Sequence, residues 1–156
     1  MTTKNNPQAP ESTDGIVVSD ASANNININD GENGYIKIRA VTELGKYPLS
    51  GARVTVYASL EELVPVEITT TDSMGYAPVI SLPVSYNPGI STMDPVYYYT
   101  TYHLSVSFDF YYPTAIHNIQ VFPGITTEFN VNMTPVPSIE PNPYKKVEIL
   151  IPDIEL

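Results

Sequence analysis

The sequence predicts an all-β fold, a seven-stranded Greek-key β-sandwich with extended N- and C-terminal tails. Seven runs place apolar residues at every second position, the period of a strand with one buried face. Between them stand turn-setting residues, with 15 Pro and 8 Gly among 156 residues, and each of these types interrupts a regular element for its own backbone reason. No stretch longer than a turn or two repeats apolar residues at helical spacing, while Tyr, Thr and Val, which suit a pleated surface, are frequent.

The first run starts at Tyr35, where Ile36, Ile38 and Ala40 alternate with Lys37 and Arg39. After the turn-forming stretch Glu43 to Ser50, the run Gly51 to Tyr57 turns Ala52, Val54 and Val56 inward. Val66 to Thr70 is β-branched and stops at Thr71-Asp72-Ser73-Met74-Gly75-Tyr76, where Asp72 caps its own turn and Gly75 takes a positive φ. Tyr76 to Leu82 reads as an edge strand, because Pro78 has no N–H for a ladder, and residues 83–95 read as a long loop. From Tyr102 to Met133 three alternating runs follow, Tyr102 to Phe108, Ile119 to Val121 and Phe129 to Met133, separated by Pro-containing turns. Their spacing predicts consecutive antiparallel strands.

Around this domain, residues 35–135, lie two segments of different composition. Residues 1–34 are rich in Asn, Ser, Asp and Pro and poor in large apolar groups, as in a polar flexible tail. Within them, Ile16-Val17-Val18 and the alternating Asn25-Ile26-Asn27-Ile28-Asn29 are apolar enough to pair with an exposed sheet edge. Residues 136–156 form a Pro-rich linker followed by VEILIPDIEL, read as a last edge strand, a docking peptide or a strand donated to a neighbour. Ile26, Ile28, Val147, Ile149 and Ile151 are the strand-donation candidates.

Charge narrows the partners. With 17 acidic against 7 basic residues and a formal charge of −10, nucleic acid is excluded, since its binding draws on clustered Lys and Arg. The chain has no cysteine, so disulfides and thiolate metal sites do not hold it together. Its first fifteen residues have no basic and apolar leader pattern, and no apolar stretch is long enough to span a bilayer, so Sec export and membrane insertion are not expected. The chain is expected to be made in the cytoplasm without a Sec signal.

The order GYIKIRAVTELGKYPLSGARVTVY, TTTDSMGYA and YHLSVSFDFYYP resembles the carboxypeptidase regulatory-like domains, which have the transthyretin-like (prealbumin-like) sandwich. Pro48-Leu49-Ser50-Gly51-Ala52-Arg53-Val54 matches that family's link between its first strands, and Thr71, Asp72, Gly75 and Tyr76 match its turn. Tyr102, Leu104 and Val106 match its later strand, whereas Phe110 stands where the family has glycine before Tyr111. The segment with Tyr111-Tyr112-Pro113, Asn118-Ile119 and Val121 to Gly124 is also similar to accessory domains of clostridial spore-cortex and peptidoglycan-associated proteins. That resemblance implies a spore or cell-wall setting.

Residues for chemistry are sparse. A resemblance to the collagen-adhesin B-type domains would imply an isopeptide bond joining Lys37 to Asn130 or Asn132 through a buried acid, but Val106 stands where that family places the acid. His103 and His117 are the two histidines and lack His-x-His spacing, so a two-Tyr, two-His iron site of the intradiol dioxygenase kind is not expected. The acidic residues match no calcium loop, Asp72 included. The tyrosines are more informative: Tyr97, Tyr98, Tyr99, Tyr111 and Tyr112 cannot all point inward on alternating strands, and exposed tyrosine suits protein or glycan contact.

The sequence therefore implies a non-catalytic structural or binding module of a cell-wall or spore surface, not an enzyme, without metal or cofactor. Its partner is another protein, itself, or a glycan. The alternative is a self-assembling fibre or appendage subunit in which a tail strand completes a neighbour's sheet.

Overall fold

A computed structural model of the chain describes residues 32–61, 64–86, 98–139, 142 and 144–154. Nine strands lie among them: β1 (Glu32–Thr42), β2 (Tyr47–Pro48), β3 (Arg53–Tyr57), β4 (Pro65–Thr70), β5 (Ile80–Val84), β6 (Thr100–Ser107), β7 (Thr114–Val121), β8 (Thr126–Met133) and β9 (Val147–Leu150). The seven strands read from the sequence are present. Beyond these seven stand the two-residue β2 and β9, the latter in the C-terminal segment whose readings included a last edge strand. Pro83 and Val84, read as loop, belong to β5, and its ladder starts at Ile80, two residues past Pro78.

The strands form two sheets. In the first, β1 is flanked on one side by β2 and β5, both antiparallel, and on the other by β8; the second runs β4-β3-β6-β7-β9. Alternation builds the core: Ile36, Ile38 and Ala40 of β1 face Val54 and Val56 of β3, Leu104 and Val106 of β6 and Ile119 of β7, all at most 1% exposed. The charged residues of β1 lie on the outer face, where Lys37 pairs with Glu128 at 3.1 Å and the Lys37 and Arg39 cations sit over the Tyr76 ring. Lys37 is thus engaged with Glu128 and not with Asn130 or Asn132.

One expected pairing is corrected. β6 and β7 form the antiparallel pair, but β8 crosses to the other sheet and runs parallel to β1 over eight residues, Tyr35–Thr42 against Thr126–Met133. The reason lies in the link Phe122-Pro123-Gly124-Ile125. Gly124 N donates to Asn33 O at 2.8 Å and Tyr35 N donates to Ile125 O at 2.8 Å, so the link is fastened to the start of β1 instead of folding back on β7. Gly34 makes the approach possible, because a Cβ there would stand 2.4 Å from both Phe122 O and Val121 Cγ1.

The turn after β4 is as the sequence predicts. Asp72 Oδ1 accepts from Met74 N and Tyr76 N, both at 2.9 Å, and Gly75 has φ 82°. Thr71, 5% exposed, ties this turn to the start of β3: its Oγ1 accepts from Ala52 N at 2.9 Å and donates to Leu49 O. Phe110 keeps the left-handed backbone that a glycine would favour, with φ 66°, and its ring is turned out to solvent, 87% exposed.

Two outcomes follow. Gly34→Ala should lower unfolding stability by about 1–3 kcal/mol through overpacking at the sheet crossing, read as a lower denaturation midpoint at unchanged slope. Thr71→Val, which keeps the shape but strands a buried N–H and a buried C=O, should cost about 1–3 kcal/mol for each group left unpaired, whereas Ser at this position should retain most of the stability.

Candidate functional site

The site candidates fall into three places. The tyrosines do not make one surface. Tyr98 and Tyr99 precede β6 and Tyr111 and Tyr112 follow it, so an eight-residue strand, about 25 Å of extended chain, separates the pairs. Tyr98 stacks edge-on against Tyr86 at 5.7 Å and its hydroxyl donates to Glu32 at 3.3 Å; desolvation and the Glu32 charge raise its pKa. Tyr99 lies against Phe122 at 5.3 Å. At the other end Tyr111 packs on Phe108 at 5.6 Å. Tyr112 corrects the expectation of exposure: it is 4% exposed, beneath the Lys145 cation. Tyr97, Ile26 and Ile28 lie outside the described residues.

The second place is the free side of β7. Val147, Ile149 and Ile151 come together there, in and just after β9, which runs parallel to β7 with Val147 opposite Thr114 and Ile149 opposite Ile116. Apolar burial holds this stretch only in part: Val147 and Ile151 are half-buried, Ile151 against the core, but Ile149 is 44% and Leu150 74% exposed. Hydrogen bonds do the rest. Val147 N donates to Pro113 O at 2.9 Å and Ile151 N to His117 O at 3.1 Å. Two side-chain amides then grip the stretch beyond the ladder: Asn118 Nδ2 donates to Ile151 O and to Asp153 Oδ1, both at 2.8 Å, and Gln120 Nε2 donates to Pro152 O at 3.0 Å.

Asn118 and Gln120 were missed by sequence reasoning. A signal was available. Ile116 and Ile119 both point inward although three positions apart, which requires an extra residue in the strand; Asn118, with φ 64°, supplies it, in the left-handed conformation that Asn tolerates well. The bulge turns the Asn118 amide towards β9 and breaks the β6–β7 register between Tyr102 and Leu104.

The same bulge assembles the third place, on the outer face of the second sheet. His103 and His117, fourteen positions apart in sequence, bring their rings to 5.7 Å. Asn118 N donates to His103 Nδ1 at 3.3 Å, and His117 Nε2 lies 3.8 Å from Glu148 Oε1, which also takes Lys146 Nζ at 2.7 Å. His117 Nδ1 is buried without a hydrogen-bond partner among the described residues. Burial and the neighbouring His117 hold His103 below the ordinary imidazole pKa, while Lys146 lowers the exposed Glu148 carboxylate. Among the described residues no three His, Asp or Glu side chains gather as a metal site would need.

No family model and no curated protein matches this chain. Among solved structures it is similar to the minor pilin GBS52 of Streptococcus agalactiae, with 16% identity and a TM-score of 0.45, over 70% of this chain and 48% of the pilin. It is similar to the Bacillus anthracis TIE protein, with 20% identity and a TM-score of 0.44, over 67% of this chain and 17% of that protein. The chain thus spans about half of the pilin and under a fifth of the TIE protein. A third similar structure is catechol 1,2-dioxygenase of Acinetobacter radioresistens, with 14% identity and a TM-score of 0.44, over 80% of this chain and 60% of the enzyme. The expectation that the chain is not an enzyme is corrected here: catechol dioxygenases stand beside the pilin among the similar structures, and a fold does not fix a function. Among the described residues no helix is long and apolar enough to cross a membrane.

The His103 environment has a measurable consequence. A histidine whose folded pKa lies below its unfolded value binds fewer protons when folded, so stability falls as pH drops through the ordinary imidazole range near about 6.5 and levels off below the folded value. Melting temperatures taken between about pH 7.5 and 5.5 should therefore decline, and His103→Gln should flatten the decline. An unchanged slope in that variant would assign it elsewhere.

Proposed function

We propose that this chain is a structural or binding module of a cell-wall or spore surface that makes its contacts through extended segments laid along sheet edges. The observation that carries this reading is the closure of the second sheet by β9. An extended segment at the end of a Pro-rich arm is seated on β7 by backbone hydrogen bonds, while Asn118 and Gln120 accommodate its course beyond the ladder. Backbone pairing at a sheet edge supplies affinity with little demand on side-chain identity. The resemblance of the Tyr111 to Gly124 segment to spore-cortex and peptidoglycan-associated accessory domains supports the setting, and its likeness to the carboxypeptidase regulatory-like pattern supports the scaffold type.

The second reading, a self-assembling fibre or appendage subunit, is favoured by one feature of the same strand. β9 exposes most of its surface and is held chiefly by hydrogen bonds that another copy's segment would make equally well, the condition for exchange between chains at low cost. In that form Val147, Ile149 and Ile151 of one copy occupy the β7 edge of the next.

A fluorescent peptide of residues 145–156, added to the full chain, tests whether the edge accepts this segment in trans. It should compete for the β7 edge and bind at least about tenfold more weakly to the double variant Asn118→Ala, Gln120→Ala, which removes three hydrogen bonds of about 0.5–1.5 kcal/mol each. A full chain that takes up no peptide even at large excess overturns the edge-binding reading.

A further inference from the structure

The two sheets differ in width on the side where the chain ends. The second sheet extends past β7 to β9, whereas the first stops at β8, which pairs with β1 alone among the described residues. Two side chains register the step. Ile149 sits opposite the buried Ile116 and so faces inward, yet it is 44% exposed. Phe129 sits opposite the fully buried Ile38 and also faces inward, yet it is only half-buried, while Val131 and Met133 further along the same strand are 1% exposed. Both sit where a further strand beside β8 would cover them.

The edge itself is unusually open. Proteins blunt exposed edges with proline, charge or brevity, and the other outer strands do so: β4 carries Pro65 and Glu67, β5 carries Pro83, and β9 is four residues long with Pro152 behind it. β8 offers eight residues with neither Pro nor Gly, and its single charge, Glu128, is paired with Lys37.

We propose that this step is a docking site for Asn25–Asn29 of a second copy, added as a strand along the free edge of β8. The occupant must carry apolar residues at every second position for the inner side and uncharged polar ones for the outer side, beside Asn130 and Asn132. Asn-Ile-Asn-Ile-Asn has that pattern and repeats the alternation of β8 itself, Phe129 to Met133. Ile26 and Ile28 then lie over Phe129 and Ile149, and the Asn side chains continue a polar ladder of the kind that stabilises stacked strands. Ile16-Val17-Val18 does not alternate and does not fit. The chain's own segment is excluded by reach. Two residues separate Asn29 from Glu32, and they would have to step past β8, about 10 Å across two strand spacings, and reverse direction, at a point where Phe122–Ile125 already lies against the start of β1.

A donor segment and an acceptor edge are different surfaces, so the contact is head-to-tail and builds a ring or a filament. The inference rests on the assembly form of the reading above, but through a separate edge. Its test leaves Asn118 and Gln120 untouched, so failure here is distinguishable from loss of peptide uptake at β7.

The natural absence of cysteine permits a clean cross-linking experiment on the full chain. Copies carrying Asn27→Cys, mixed with copies carrying Asn130→Cys and oxidised, should yield a disulfide-linked heterodimer. The double variant Ile26→Asp, Ile28→Asp should bring the light-scattering mass from a multiple of the chain down to that of one chain, with an unchanged melting temperature. Disulfide dimers from either single-cysteine variant alone, an intrachain disulfide in dilute chains carrying both cysteines, or a wild-type chain that stays monomeric at every concentration would each overturn the proposal.

Discussion

The structure depends on β1 being paired along both edges. Its inward residues Ile36, Ile38 and Ala40 are wholly buried, and its backbone is shared between β5 and β2 on one side and β8 on the other. The parallel partner is the decisive one. It joins residues about ninety positions apart, as in the Lys37–Glu128 and Thr42–Met133 contacts, so the first sheet cannot close until most of the chain has been placed. Such non-local pairing must overcome loop-closure entropy before it stabilises anything, and it makes for slow folding. The close approach at Gly34 and the fastening of residues 122–125 to β1 are the local conditions for that one pairing.

The backbone carries its conformational cost at the ends of strands and at one bulge. Glu43, Leu44, Phe110 and Asn118 have positive φ without being glycine, at roughly 1–2 kcal/mol each for residues with a full side chain and less for Asn. At Phe110 the return is a turn held by Val136 N donating to Phe110 O at 2.8 Å, which together with Tyr112 N to Thr134 O at 2.9 Å stitches the two sheets at that end. At Asn118 the return is twofold, since the bulge brings the two histidines together and points the amide at the C-terminal segment. A local irregularity in one strand thus creates two of the three candidate places.

Period-two alternation made the strands and the inward residues legible, because burial on one face leaves a mark at every second position. Pairing partners leave no such mark. The run Phe129 to Met133 reads the same whether it pairs antiparallel with β7 or parallel with β1, and only the hydrogen bonds of a four-residue link decide. The turn at Asp72 was legible because its stabilising carboxylate lies within the turn. Tyr111 and Tyr112 were not, because adjacent residues of a corner leave the strand period and the backbone direction there depends on Phe110. The histidine pair was illegible for another reason: proximity across a bulged pair depends on a register shift that the spacing of the two residues does not encode.

The C-terminal segment shows how one addition changes the character of a sandwich. By taking the β7 edge, β9 satisfies backbone groups that would otherwise be open, and its own apolar residues gain little burial in the process. The free-energy gain is then mostly hydrogen bonding, which is modest net of water and much the same whichever copy supplies the strand. The same addition widens one sheet relative to the other and leaves Ile149 overhanging, so closing one edge exposes an inward face beside another. A chain with excess acidic residues could have charged that neighbouring edge, yet β8 bears one paired carboxylate and alternating Asn. The asymmetry between three protected edges and one open edge is a property of where the sequence places Pro and charge.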